Sequence, residues 1–291
     1  MKANISSVKD LPGTLVVFEG ADGCGKSTQI AKLSRSLKKQ GFKVTVSSWK
    51  DAPFIGPFLQ SNEAAKKIEL MVTSEANLIL QVADLVYRLE REIIPALSRG
   101  EVVLLERGLE TVVVRGMMLG ISEEKIRKWL LWFANGLYKE VFDKALTVYM
   151  DVPLKETLDR IYERADMVRS GSLKTHCSIL TLHLINNLVY SDTGDKLTRK
   201  DKRKMIHIAQ KNIVENYARI YKDKKQVLTL NAEGKKRHIA NDITKSLLDY
   251  LDSKIMVEKV IDKTRTGEVI KVDKHVKTLK KAGITNVAKK K

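Results

Sequence analysis

The stretch Phe18-Glu19-Gly20-Ala21-Asp22-Gly23-Cys24-Gly25-Lys26-Ser27-Thr28 places glycines, a lysine and two hydroxyls in the pattern G-x-x-x-x-G-K-[ST], running from Gly20 through Lys26 to Ser27. The chemistry this spacing serves is the holding of phosphate. Backbone N–H groups of a glycine-rich turn point at phosphate oxygens, and the N-terminus of the following helix adds partial positive charge. Gly20, Gly23, Gly25 and Thr28 are expected to line the cradle, Lys26 to reach the outer phosphates, and the Ser27 hydroxyl to ligate Mg²⁺. A second chemistry-bearing pair, Glu106-Arg107, closes the apolar run Val102-Val103-Leu104-Leu105. A carboxylate at that strand end can hold Mg²⁺, usually through water, and the arginine beside it can neutralise phosphate charge. Arg160 and Arg164 are four apart and so share one face of a helix.

These residues need elements to position them. The apolar run Thr14-Leu15-Val16-Val17-Phe18 reads as a buried strand, and Gln29 to Leu37 has helical apolar spacing. The loop therefore has the strand–loop–helix setting that the motif requires. Further strands are expected near 43–48, 101–106, 145–150 and 226–230. Helices are expected near 26–40, 57–70, 74–98, 108–118, 122–137, 154–165, 172–190, 201–222 and 236–252. Short strands separated by long helices imply crossover connections and a parallel sheet buried on both faces, an α/β architecture. Gly41, Gly100 and Gly136 stand where helices should stop.

A chain of 291 residues with 43% hydrophobic residues can build a substantial core. Its net charge of +18 suits anionic substrates, nucleic acid or an acidic partner. Two cysteines, Cys24 and Cys177, exclude a disulfide framework, and no histidine pair has metal-ligand spacing. No apolar run is long enough to span a bilayer, and Met1 to Leu11 lacks the apolar core of a signal peptide, so a cytoplasmic, reduced setting is expected. Composition changes after Ser253. Residues 254–291 hold twelve Lys or Arg against four Asp or Glu, and no aromatic residue. Such a basic tail suits salt-sensitive contact with a polyanion. The dense run Trp129-Leu130-Leu131-Trp132-Phe133 suits either core or the face of a homodimer.

With these residues in view, the chain resembles the thymidylate kinase family, a branch of the nucleoside monophosphate kinases. The loop from Phe18 to Thr28 looks like that family's version, including the acid at Asp22. Ile93 to Gly100 followed by Val102 to Arg107 is similar to its helix, glycine and strand ending in an acid-arginine pair, where the family usually has Asp-Arg and an aromatic. Asp159-Arg160 with Arg164 looks like the arginine pair that opens its lid, and Asn231-Ala232 like the segment bordering adenine. The resemblance covers roughly residues 13 to 252. It implies a P-loop three-layer α/β/α fold with a mainly parallel five-stranded sheet, a helical lid insertion and an added basic tail. The expected domain is 1–253, with lid and insertion at about 154–200, followed by the tail 254–291.

The implied activity is ATP-dependent, Mg²⁺-assisted phosphoryl transfer to a nucleoside monophosphate, dTMP or a close analogue, giving the diphosphate and ADP. Lys26, Arg107, Arg160 and Arg164 would act on the transferred group. Asp22 is implied to contact the acceptor sugar, or else it caps the next turn. Trp49 walls the acceptor site or belongs to the core. Lys50 stands where the family has a phosphate-binding arginine, and lysine lacks the planar fork. Ala83-Asp84-Leu85 departs from the family's Ala-Asp-Arg, and Arg88 comes one turn later. The family's Tyr-Gln pair is replaced around Val114-Arg115-Gly116, so Arg88 and Arg115 are the candidates for the thymine edge. Two other readings stand beside this one. A deoxynucleoside kinase would need a general base after the second strand, where Asp51 is the nearby carboxylate. A catalytically weak nucleotide-binding module would use its basic tail to bind nucleic acid or a partner.

Overall fold

The computed structural model describes residues 11–49, 73–133, 137–169, 199–222, 224, 227–231 and 238–251. The expected helices at 57–70 and 172–190, and with them Lys50, Asp51, Gly136, Cys177, Ala232 and the tail 254–291, lie outside the described residues.

Five strands form one sheet: β1 (Thr14–Glu19), β2 (Val44–Ser48), β3 (Val102–Glu106), β4 (Leu146–Asp151) and β5 (Val227–Asn231). Their order is β2-β3-β1-β4-β5, and every pairing is parallel. The sheet is thus wholly parallel among the described residues, where the sequence suggested mainly parallel.

Period-two alternation splits the strand residues between two apolar layers. Val16, Phe18, Leu104, Val148 and Met150 face one side, where they pack with Ile30, Leu33 and Leu37 of α1 (Lys26–Lys39) and with Ile243 and Leu247 of the helix over 238–251. Leu15, Val17, Val103, Leu105 and Tyr149 face the other side. There they meet α2 (Ser74–Arg88), α3 (Ile94–Ser98), α4 (Leu109–Met118), α5 (Glu123–Phe133), α6 (Leu137–Asp143), and α8 (Arg199–Tyr221). The remaining helix, α7 (Leu154–Arg169), follows β4. Helices on both faces bury every strand of the sheet interior, which is why β1 reads as continuously apolar until Glu19.

One sequence expectation needs correction. The helix expected over 74–98 is interrupted by a π turn at Leu89–Ile93. Pro95 has no N–H to donate to a carbonyl four residues back, and the Ile94 N–H bonds instead to Leu89 O, five residues back. The helix expected over 122–137 is described over Glu123–Phe133, and the residues Leu137–Asp143 are helical past the expected end. Among the described residues no helix is long and apolar enough to cross a membrane.

Candidate active site

The C-terminal ends of β1, β3 and β4 carry the residues singled out by type and spacing. The loop after β1 is built on glycines that no larger residue could replace. Gly23 has φ +80, and a Cβ there would lie 2.6 Å from Thr157 O. Gly20 has φ +140, and its Cβ would lie 2.8 Å from Met150 O. The loop is therefore wedged against β4 and the first turns of α7. Gly25, at φ +98, is the N-cap of α1. Lys26 is buried, and its ammonium donates to Gly20 O at 2.9 Å and Ala21 O at 2.8 Å, with Cys24 Sγ at 3.3 Å.

Ser27 lies in the first turn of α1 and donates its hydroxyl proton to Glu106 Oε1 at 2.7 Å. Ser48, at the end of β2, donates to Glu106 Oε2 at 3.2 Å. The register Phe18↔Glu106 and Ser48↔Glu106 puts this carboxylate between two neighbouring strand ends. Ser27 and Glu106 are hard oxygen donors, which fits Mg²⁺. Among the described residues no group of three or more His, Cys, Asp or Glu could hold a metal ion. An oxygen pair of this kind suits a Mg²⁺ ion completed by phosphate and water rather than an all-protein cage.

Arg107 follows Glu106 with φ +67, in the left-handed region that costs a non-glycine residue about 1 kcal/mol or more. Its N–H donates to Phe18 O at 3.0 Å, and its Nη2 pairs with Asp22 Oδ1. Burial pushes the Arg107 guanidinium down, but Asp22, Tyr217, Glu106 and Cys24 together outweigh this and the net shift is upward. The Asp22 side chain is thus engaged with Arg107, and its backbone carbonyl accepts from Gln210 Nε2 of α8 at 2.8 Å.

From α7, Arg160 reaches back over the loop. Its Nη1 donates to Gly23 O at 3.2 Å, and its Nη2 pairs with Glu156 one turn earlier. Arg164 lies on the same helix, with its side chain outside the described residues. Asn231 ends β5, likewise without a described side chain. Trp49 and Arg115 are both buried, and the Arg115 guanidinium carbon stands 4.2 Å from the Trp49 ring centroid. Arg88 is buried at 1% exposure in the last turn of α2, while neighbouring Tyr87 is at the surface. Gly116 is fixed by packing, since a Cβ there would lie 2.5 Å from Ile126 Cδ1 and 3.0 Å from Leu78 Cδ2.

The sequence reading passed over Glu19. This carboxylate ends β1 in the same period-two register as Leu15 and Val17, so it is buried under α4 and α8. Its Oε1 accepts from the N–H of Gly108 at 2.9 Å and of Thr111 at 3.3 Å. Its Oε2 accepts from the Thr111 hydroxyl and from Tyr217 at 3.4 Å. Glu19 therefore satisfies donors at the start of α4, as a capping side chain would. It also pins the peptide that follows Arg107. An acid placed in the apolar register of a buried strand was the signal that could have revealed it.

The family model for thymidylate kinase matches residues 18–170. The chain is similar to the thymidylate kinase of Caldanaerobacter subterraneus subsp. tengcongensis, 29% identical over 173 residues, covering 56% of this chain and 76% of that one. It is 31% identical over 170 residues to the thymidylate kinase of Clavibacter michiganensis subsp. michiganensis, covering 57% and 77%. With the thymidylate kinase of Clavibacter sepedonicus the identity is 33% over 143 residues, covering 49% and 64%. The matched stretch runs from the phosphate loop through Glu106-Arg107 to the end of α7, and the chain belongs to the thymidylate kinase family of phosphotransferases.

Proposed function

We propose that this protein transfers the terminal phosphoryl group of ATP to a nucleoside monophosphate, dTMP or a close analogue, giving the diphosphate and ADP. The observation that carries the reading is the 2.7 Å contact between Ser27 Oγ and Glu106 Oε1. It joins the phosphate loop to the acid at the end of β3, the two oxygen donors that Mg²⁺ chemistry on a nucleotide needs. The thymidylate kinases matched above support the choice of acceptor.

In this reading Gly20, Gly23, Gly25, Lys26, Ser27 and Thr28 hold the donor phosphates, and Asn231 and Ala232 border the adenine. Mg²⁺, when bound beside Ser27 and Glu106, supplies charge neutralisation between phosphates. Arg107, Arg160 and Arg164 stabilise charge on the group in transfer. In-line transfer asks mainly for positioning and positive charge, so fixed cations around the loop suffice. Asp22, Trp49, Lys50, Arg88 and Arg115 face the acceptor. The kinase domain spans 1–253, with its lid and insertion at about 154–200, and the tail 254–291 adds a polyanion contact.

The test is a coupled ADP-release assay over dTMP, dUMP, UMP, CMP, dGMP and the matching nucleosides. Turnover of a monophosphate, with dTMP or dUMP preferred, is the expected result. Turnover of nucleosides alone identifies a nucleoside kinase, and no turnover at all identifies a binding module.

A further inference from the structure

The carboxylate of Glu106 has an outer oxygen and an inner one. Oε1 accepts from Ser27 at 2.7 Å, and Ser27 is exposed in the first turn of α1. Oε2 accepts from Ser48 at 3.2 Å, and Ser48 is buried, 6% exposed, at the end of β2. The register Ser48↔Glu106 sets the two residues side by side at neighbouring strand ends. Ser48 is anchored there by the sheet. Glu106 is half-buried, and its long side chain turns about several bonds unless something holds it. A buried hydroxyl needs an acceptor, so the contact suits Ser48 on its own account. It also acts on the carboxylate: with Oε2 tied down on the sheet side, Oε1 is the oxygen offered toward Ser27.

That asymmetry bears on the choice of metal. Mg²⁺ is small, demands near-ideal octahedral geometry and keeps several waters, so a single carboxylate oxygen serves it. Ca²⁺ is larger, tolerates irregular geometry and takes a carboxylate through both oxygens. Selectivity between them therefore depends on how many oxygens a site presents and how freely they turn. Hydrogen-bonded neighbours of a metal-binding carboxylate fix its orientation and thereby change metal affinity. The preceding residue, Ser47, is also buried, but its hydroxyl bonds to Glu92 on the π turn at 2.7 Å. The two adjacent serines thus make the same kind of contact, and Ser48 alone of them makes it to the carboxylate beside Ser27.

We infer that Ser48 is a positioning residue for Glu106, and that its hydroxyl holds one carboxylate oxygen away from the cation and so biases the site toward Mg²⁺ over Ca²⁺. The inference rests on the proposed Mg²⁺ site beside Ser27 and Glu106 and extends it to a residue that acts through the carboxylate. A serine that merely satisfied its own hydroxyl would affect stability and leave metal preference alone.

The experiment uses full-length protein with Ser48→Ala, Ser48→Cys, Ser48→Thr and, as a matched control, Ser47→Ala. Electron paramagnetic resonance follows free Mn²⁺ in the presence of ADP, with Mg²⁺ or Ca²⁺ titrated in as competitor. Ser48→Ala should weaken Mg²⁺ about 10-fold and Ca²⁺ by less than about threefold, so the preference for Mg²⁺ narrows. Ser48→Cys keeps the size but has only a weak S–H donor, and it should follow Ser48→Ala. Ser48→Thr keeps the hydroxyl and should stay within about twofold of wild type for both metals. Ser47→Ala loses a buried hydroxyl too, yet it should leave both affinities unchanged. Calorimetry with ADP in EDTA should give one affinity for all five proteins. Equal losses for Mg²⁺ and Ca²⁺, no loss in Ser48→Ala, or the same shift in Ser47→Ala overturns the inference. So does a wild type that binds no Mn²⁺ beyond what ADP holds by itself. Where Ser48→Ala does not fold, Ser48→Cys against Ser48→Thr gives the same comparison. None of these arms needs an acceptor or turnover. A shifted preference in a protein that phosphorylates no monophosphate refutes the proposed function alone. Turnover of dTMP with an unshifted preference in Ser48→Ala refutes this inference alone.

Discussion

Replacing Glu19 separates two things that one buried carboxylate does: it satisfies donors at the start of α4, and it keeps a charge out of water. Glu19→Ala leaves the Gly108 N–H, the Thr111 N–H and the Thr111 hydroxyl without their acceptor. At about 1–3 kcal/mol for each buried group left unsatisfied, the loss is roughly 3–9 kcal/mol. A melting temperature lower by about 10 °C or more is expected for a domain of this size. Glu19→Gln should behave differently. Its oxygen can accept from both N–H groups while its NH₂ donates to the hydroxyls of Thr111 and Tyr217, either of which can turn to accept. Stability close to that of wild type near pH 4.5, and at least equal to it at neutral pH, follows. The pH profile supplies the second arm. Burial raises the Glu19 carboxyl above its ordinary 4.5, with the Thr111 and Gly108 hydrogen bonds opposing it. A folded state that holds the proton more tightly than the unfolded chain has this contribution in full below 4.5 and loses it as pH rises through the folded pKa. Thermal melts from pH 4.5 upward should therefore show wild type losing stability relative to Glu19→Gln as pH increases. Activity should also fall in Glu19→Ala, because the Gly108 peptide that follows the left-handed Arg107 is no longer held. If Glu19→Gln loses as much as Glu19→Ala, or Glu19→Ala melts within a degree or two of wild type, the capping role is refuted.

Lys26→Ala should cut turnover about 100-fold or more, the scale of removing a preorganised charge, and lower the melting temperature by only a few degrees; activity within tenfold of wild type would falsify the placement of the active site. Glu106→Gln should shift the Mg²⁺ dependence to higher concentration, with partial rescue by Mn²⁺, while Ser27 keeps an acceptor in the amide oxygen. An unchanged metal dependence would make Glu106 a structural partner of Ser27 and Ser48. Arg160→Ala should lower kcat by about 100-fold with a smaller effect on the KM for ATP. A change confined to ATP affinity would reduce Arg160 to a tie between α7 and Gly23.

What could be read from the sequence was local. The phosphate loop is a contiguous pattern, and β1 with α1 around it follows from a change in apolar period within a short stretch. Glu106 was legible because an acid ends an apolar run. The π turn at Leu89–Ile93 was hidden because apolar spacing continues through it, although Pro95 was the sign that the hydrogen-bond register had to change. Helix α6 has seven residues, too few for a period to show. Contacts between distant segments were not legible at all. That Arg107 meets Asp22 is set by the sheet order, and that Arg115 lies on Trp49 is a contact between residues far apart in the chain. Residue type suggested that each could serve phosphate, but not which cation would already have a carboxylate and which would not.

The stretch of chain beyond the family match also bears on the site. Helix α8 begins at Arg199, past the matched residues 18–170, yet it touches the loop, β4 and α4. Gln210 is fully buried and donates to Asp22 O. Tyr217 meets Thr111 Oγ1 at 2.7 Å, and its ring stacks with Tyr149 at 6.2 Å and Tyr221 at 6.4 Å. Tyr149 and Tyr221 lie closer still, at 4.7 Å. The ion pair of Arg219 with Glu123 is half exposed and belongs to the class worth roughly 0–1 kcal/mol. The buried contacts decide the outcome, since each aromatic pair adds about 0.5–1.5 kcal/mol beyond its buried area and each buried hydrogen bond about 1 kcal/mol. Helix α8 is therefore held at the site mainly by Gln210 and its tyrosines, and displacing it would pull on Asp22 and on the Glu19 cap together. The two residues that hold Arg107, Asp22 through its carboxylate and Glu19 through Gly108, both depend on a helix that the family match does not include. Any change in how this chain treats its acceptor can thus arise from α8 as well as from the residues that line the sheet end.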